Sequence, residues 1–156
     1  MTDKQKQDFA LRITQSNRSG IIVILYEVMD TYLAEAQANK DDYETMKTAV
    51  RNAQRISYEL TDILDMQYEI SEGLFEIYDF ISRALEKVII RKDTADIPRI
   101  RKMINALKET FEKVAKEDDS GAMMQNTEQV YAGLTYGKGT LVETTDTTAG
   151  GRGFLV

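Results

Sequence analysis

The chain has 156 residues, a formal net charge of −6, and neither Cys nor His. That length suits one domain whose core needs no covalent staples. The missing residues exclude disulfides, thiolate chemistry, Ser-His-Asp triads, His-containing zinc sites and Glu-x-x-His di-iron bundles, and the acidic balance argues against a nucleic-acid partner.

Breakers divide the chain. Between Ile21 and Ser120 there is one Gly, Gly73, and one Pro, Pro98, whereas six Gly fall between Gly133 and the end. The first part therefore reads as long helices and the last part as something else. The first segment runs from about Lys4 to Gln15. Its apolar residues, Phe9, Leu11 and Ile13, are poorly spaced for a helix. Ser16 to Gly20 interrupts it and offers an N-cap to the next.

The second segment runs from about Gly20 to Ala38, with a seam of Ile22, Leu25, Met29, Leu33 and Ala36. A turn follows at Asn39 to Asp42, where Asp41 and Glu44 have capping-box spacing. The third segment extends to about Met66 through Met46, Val50, Ala53, Leu60 and Leu64. The fourth runs from about Ile70 to Arg91 through Ile70, Leu74, Ile77, Ile81, Leu85 and Val88. Asp96 caps the fifth, with Pro98 in its first turn, and Ile97, Ile100, Ile104, Leu107, Phe111 and Val114 alternate in steps of three and four.

The expected fold is all-α: an antiparallel up-and-down four-helix bundle with a short extra N-terminal segment and an irregular C-terminal tail. The bundle domain spans 1–119, and 120–156 is a Gly- and Thr-rich extended or flexible tail ending in Phe154-Leu155-Val156. Glu109–Lys113 and Glu112–Lys116 have the i,i+4 spacing of solvated helix pairs. Leu25-Tyr26-Glu27-Val28-Met29-Asp30 resembles Leu74-Phe75-Glu76-Ile77-Tyr78-Asp79. Convergence of two amphipathic helices explains this more simply than duplication.

Few residues point to chemistry. Glu72, Glu76 and Asp79 share a face of the fourth segment, and Glu59 and Asp62 sit similarly on the third. Two acidic rows could hold a hard cation, but with no His and no EF-hand loop a solvated acidic face explains them better, so no metal or other cofactor is expected. Arg91, Lys92, Arg99, Arg101 and Lys102 cluster around one turn, where cations suit a helix C-terminus. The longest helical apolar run, Ile21 to Leu25, has five residues, so no membrane insertion is expected, and the simplest placement is the cytoplasm.

The anomaly is excess apolar surface. The second segment carries a further stripe, Ile21, Ile24, Val28 and Tyr32, and the third adds Ala49, Ile56 and Ile63. Two extra stripes on neighbouring helices make an apolar groove for an amphipathic or extended peptide. The first segment or the tail could cover the same stripes, as a placeholder that a partner displaces. Such stripes also serve homodimers, and that alternative stays open. The candidate floor is Ile21, Ile24, Leu25 and Val28, with Ile56, Leu60 and Ile63.

Leu25-Tyr26-Glu27 with Tyr32-Leu33 resembles the first Leu-Tyr-Asp motif of FliS-type flagellar chaperones. Ile77-Tyr78-Asp79-Phe80-Ile81, then Arg83 and Leu85, resembles the later one, and Asp93 follows the basic Arg91-Lys92 turn as in that family. The likeness covers about Leu11 to Lys116. It departs at Thr14 to Gly20, which lacks the usual Pro, and at Val28, where a small residue is usual. The resemblance implies a non-enzymatic helical bundle. Such a bundle binds the C-terminal region of flagellin, prevents its premature polymerisation and presents it to the flagellar export apparatus. A related adaptor with another client is the alternative.

Overall fold

A computed structural model describes residues 1–117. Among them are five helices and no strand: α1 (Asp3–Thr14), α2 (Arg18–Ala38), α3 (Tyr43–Asp62), α4 (Glu69–Arg91) and α5 (Ile97–Glu117). The tail expected at 120–156 lies outside the described residues.

Local chemistry sets the helix starts. Asn17 caps α2, its Oδ1 accepting from the Gly20 N–H at 2.7 Å. A Cβ on Gly20 would lie 3.1 Å from that oxygen and from the Ser16 Cβ, so the cap favours glycine there. The cap of α3 is Asp42, which accepts from the Thr45 N–H at 3.2 Å, and not Asp41. At the end of α4, Lys92 adopts left-handed backbone with φ 54°, and the Asp93 N–H bonds to the Val88 carbonyl, closing the helix.

Three expectations about the helix seams need correction. The third segment does not reach Met66, because α3 ends at Asp62. Asp65 then accepts from the Gln67 N–H at 2.9 Å, and that turn competes with further helix. Ile70 is consequently not in the α4 seam but 58% exposed, since α3 has stopped before it. In α2 the inward position is Tyr26, and Leu25 is half-buried beside it.

The helices pack α5 on α2, α2 on α3 and α3 on α4, while α4 and α5 scarcely touch. Neighbours run in opposite senses. Tyr43 reaches the Ile89 carbonyl, Arg51 meets Glu86 at 2.5 Å, and Gln54 Nε2 donates to the Ser82 carbonyl at 3.0 Å. The α2–α5 pair is fastened by Arg101 on Asp30, at 2.7 and 3.0 Å, and by Asn105 on the same carboxylate. On α5 it is Lys108 and Glu112 that pair, at 3.8 Å, rather than the two expected Glu–Lys pairs.

One core runs through the bundle, with Ile22, Met29, Leu33, Leu60, Ile81, Leu85 and Ile97 among its sealed side chains. Each such side chain contributes about 1.5–3 kcal/mol on burial, against about 0–1 kcal/mol for an exposed ion pair, so the core dominates. Tyr26 and Tyr78 meet hydroxyl to hydroxyl across it, and Phe111 packs on Tyr26 with ring centroids 5.9 Å apart. The two Tyr of the Leu-Tyr-Asp-like motifs are thus buried partners. The internal likeness aligns Tyr26 instead with Phe75, which is 43% exposed, so the shared spelling carries no shared role.

Candidate functional site

The site is built on α2 and α3. In α2 the inward row is Ile22, Tyr26, Met29, Leu33 and Ala36. A second row, Ile21, Leu25, Val28 and Tyr32, follows at helical spacing, and all four are half-buried. Ile56 of α3 and Ile63, the residue that closes its C-terminus, lie seven residues apart, packed against the core and half-buried. Since α2 and α3 pack along their length and share a four-residue connection, Ile21 and Ile63 lie toward the same end.

Leu60 and Ile24 are placed differently from the other candidates. Leu60 is fully buried and supports the α3 row from beneath. Ile24 is 3% exposed and lies apart from the second row. With Val23 it lines a cleft of about 380 Å³ beside Arg12, Gln15 and Ser16, and beside Glu112, Ala115 and Lys116 of α5. The end of α1 therefore stands next to Ile24. Spacing alone missed this, because it says nothing of a helix laid across the back of α2.

α1 has no fully buried residue; Phe9 and Ile13 are half-buried, and ion pairs add to its hold. Arg12 Nη1 donates to Glu27 Oε2 at 2.7 Å, and the Met1 amino group meets Glu35 at 2.5 Å. Glu27 raises the Arg12 pKa through that hydrogen bond, so the guanidinium stays charged throughout the accessible range. A cleft of about 550 Å³ opens under α1, lined by Asp8, Phe9 and Arg12 with Glu27, Asp30 and Lys108. Its walls carry both signs of charge, which suits an inter-helix contact better than a reaction centre.

The remaining candidates disperse. Among the described residues no three carboxylates converge on one point, and Asp79 is paired with Arg83 at 2.9 Å. The basic cluster also separates: Arg101 turns to Asp30, while Arg99 holds Asp96 and lies 5.2 Å from the Phe80 ring. No helix among the described residues is long and apolar enough to cross a membrane.

These features define a helical bundle with an apolar face along two adjacent helices and no assembled reaction centre among the described residues. Residues 1–118 match the family model described as flagellar protein FliS, and the chain belongs to that family. No curated protein matches it at a significant level.

Proposed function

We propose that this chain is a cytoplasmic, non-enzymatic flagellar export chaperone that holds the C-terminal region of flagellin. Its working body is the antiparallel four-helix bundle α2–α5, with α1 as an added segment and 120–156 as a separate tail. The observation that carries this reading is the half-buried row Ile21, Leu25, Val28 and Tyr32 beside Ile56 and Ile63. Such a row is too apolar for a bundle exterior and too shallow for its core. A client helix laid along it would complete the burial, with folding coupled to binding. α1 stands beside Ile24 on another side of α2, so the row itself is left open to a client.

Calorimetric titration of the full chain with a peptide of flagellin's last few tens of residues tests the proposal. Saturable one-to-one binding with a negative heat-capacity change is expected. Val28→Asp should abolish it while leaving helix content intact. No binding by the intact, folded chain would overturn the flagellin assignment.

A further inference from the structure

α4 is an edge helix. It packs on α3, scarcely touches α5 and turns one long face to solvent. That face carries its charges in order. Glu69, Glu72, Glu76 and Asp79 occupy the first half, and Arg83, Lys87 and Arg91 the second, all exposed. At about 3.6 residues per turn the seven fall within about a third of the helix circumference, opposite the buried Leu74, Tyr78, Ile81 and Leu85. Glu86 belongs to the α3 side, where it meets Arg51. Phe80 stands at the change of sign, half-buried, and shares a cleft of about 310 Å³ with Arg83 and Lys87.

An isolated helix does not favour this segregation. The dipole accounts for Glu69 and Glu72 in the first turn and Arg91 in the last. Asp79 and Arg83 pair with each other at 2.9 Å. Glu76 and Lys87 lie outside those turns and form no ion pair among the described residues. Each also stands four residues from a like charge, Glu76 from Glu72 and Lys87 from both Arg83 and Arg91. That spacing costs helix stability.

The order of charges is its own complement when reversed. Counted from Phe80, Glu69 and Arg91 are each eleven residues away, Glu72 and Lys87 eight and seven, and Glu76 and Arg83 four and three. Two α4 helices laid antiparallel about a two-fold axis at Phe80 set each of these carboxylates opposite a cation of the other copy. Gly73 lies on the same face, as far before Phe80 as Lys87 lies after it. A Cβ there would meet no described atom within 4 Å, so nothing described within the chain demands the glycine. Its bare backbone leaves room for the facing Lys87.

We propose that this face of α4 is an isologous contact between two copies of this chain, antiparallel about Phe80. A wholly acidic or wholly basic partner would meet like charge over half of the face, whereas a reversed copy meets opposite charge along all of it. The contact is one polar helix pair, so the dimer is weak and sensitive to salt. It uses none of the client row on α2 and α3.

Sedimentation equilibrium of the full chain across a concentration series tests this. A monomer–dimer equilibrium is expected, weakening about tenfold from low to high salt. Arg83→Glu with Lys87→Glu makes one variant, and Glu72→Lys with Glu76→Lys another. Each alone should dimerise about tenfold or more weakly, with helix content unchanged, because all four side chains are exposed. Mixed in equal amounts, the two variants should recover the dimer, since every reversed charge then faces its opposite. Lys4→Glu with Lys6→Glu on α1 should change nothing. A chain that stays monomeric at every concentration in low salt would overturn the proposal. So would dimers that both variants retain, a mixture that stays monomeric, or a dimer lost only on removal of Gly121–Val156.

Discussion

α1 and α2 are adjacent in the chain and joined by a short break, yet they are held by different physics. α2 buries nine residues and packs between α3 and α5. α1 buries none. Its helicity is local, with a capping box between Thr2 and Gln5, Asp3 in the first turn and Arg12 in the last. An isolated helix of 12 residues is marginal in water, so α1 depends on its attachment to α2, through ion pairs and the half-buried Phe9 and Ile13. A helix that puts no side chain fully into the core can be released without dismantling it, and one fastened by burial cannot.

The sharpest way to break this contrast is Leu33→Ala on the buried side of α2. It should cost about 3–5 kcal/mol in urea unfolding followed by circular dichroism, the range for emptying a sealed core site. Asp30→Ala removes the carboxylate shared by Arg101 and Asn105. With Arg101 33% exposed and Asp30 22%, it should cost about 1–2 kcal/mol by the same measurement. Arg12→Ala should cost less than about 1 kcal/mol globally, because the pair is only partly buried and Arg12 leaves no fully buried site empty. It should nevertheless raise amide exchange throughout α1 while α2 stays protected. A global loss as large as that of Leu33→Ala would show that α1 belongs to the core.

Acid should affect polar attachments before packing, and this is the smallest effect. Hydrogen bonds from Thr45, Arg51 and Arg99 hold Asp42, Glu86 and Asp96 below the ordinary carboxylate range. Their folded pKa values lie below the unfolded ones. Their contribution is therefore complete above the usual carboxylate pKa and is lost as pH falls through the lowered values. The sequence has no His to titrate near neutrality. Melting temperature should stay nearly level from pH 7 to 5 and decline only below about pH 4.

The helices were legible where period and burial agree. The three-four alternation from Ile97 to Phe111 is the clearest case, and Ile97, Ile100, Ile104 and Phe111 are all buried. The α2 seam was misread by one position because Leu25 and Tyr26 are both apolar, and only packing chooses between them. The end of α3 was missed because Leu64 continues the apolar period while Asp65 turns the backbone. The basic cluster, read as cations suited to a helix C-terminus, divides between separate partners. Arg99 and Arg101 are two residues apart and cannot share a helix face, a warning the spacing already contained. Of the candidate floor, spacing set Ile24 in the outer α2 stripe and Leu25 in the seam, whereas Ile24 is buried and Leu25 half-buried in the outer row. The cover beside Ile24 was not legible, because it depends on where α1 is laid.

The Arg101–Asp30 contact spans 71 positions of chain. On the ribosome, α2, α3 and α4 are complete before α5 has been made. During that interval the flank of α2 that will receive α5 is bare, and the nascent chain displays Tyr26, which Phe111 will later cover. Closure waits for the last helix, so translational pausing after Arg91 would lengthen the most vulnerable moment in the life of this protein.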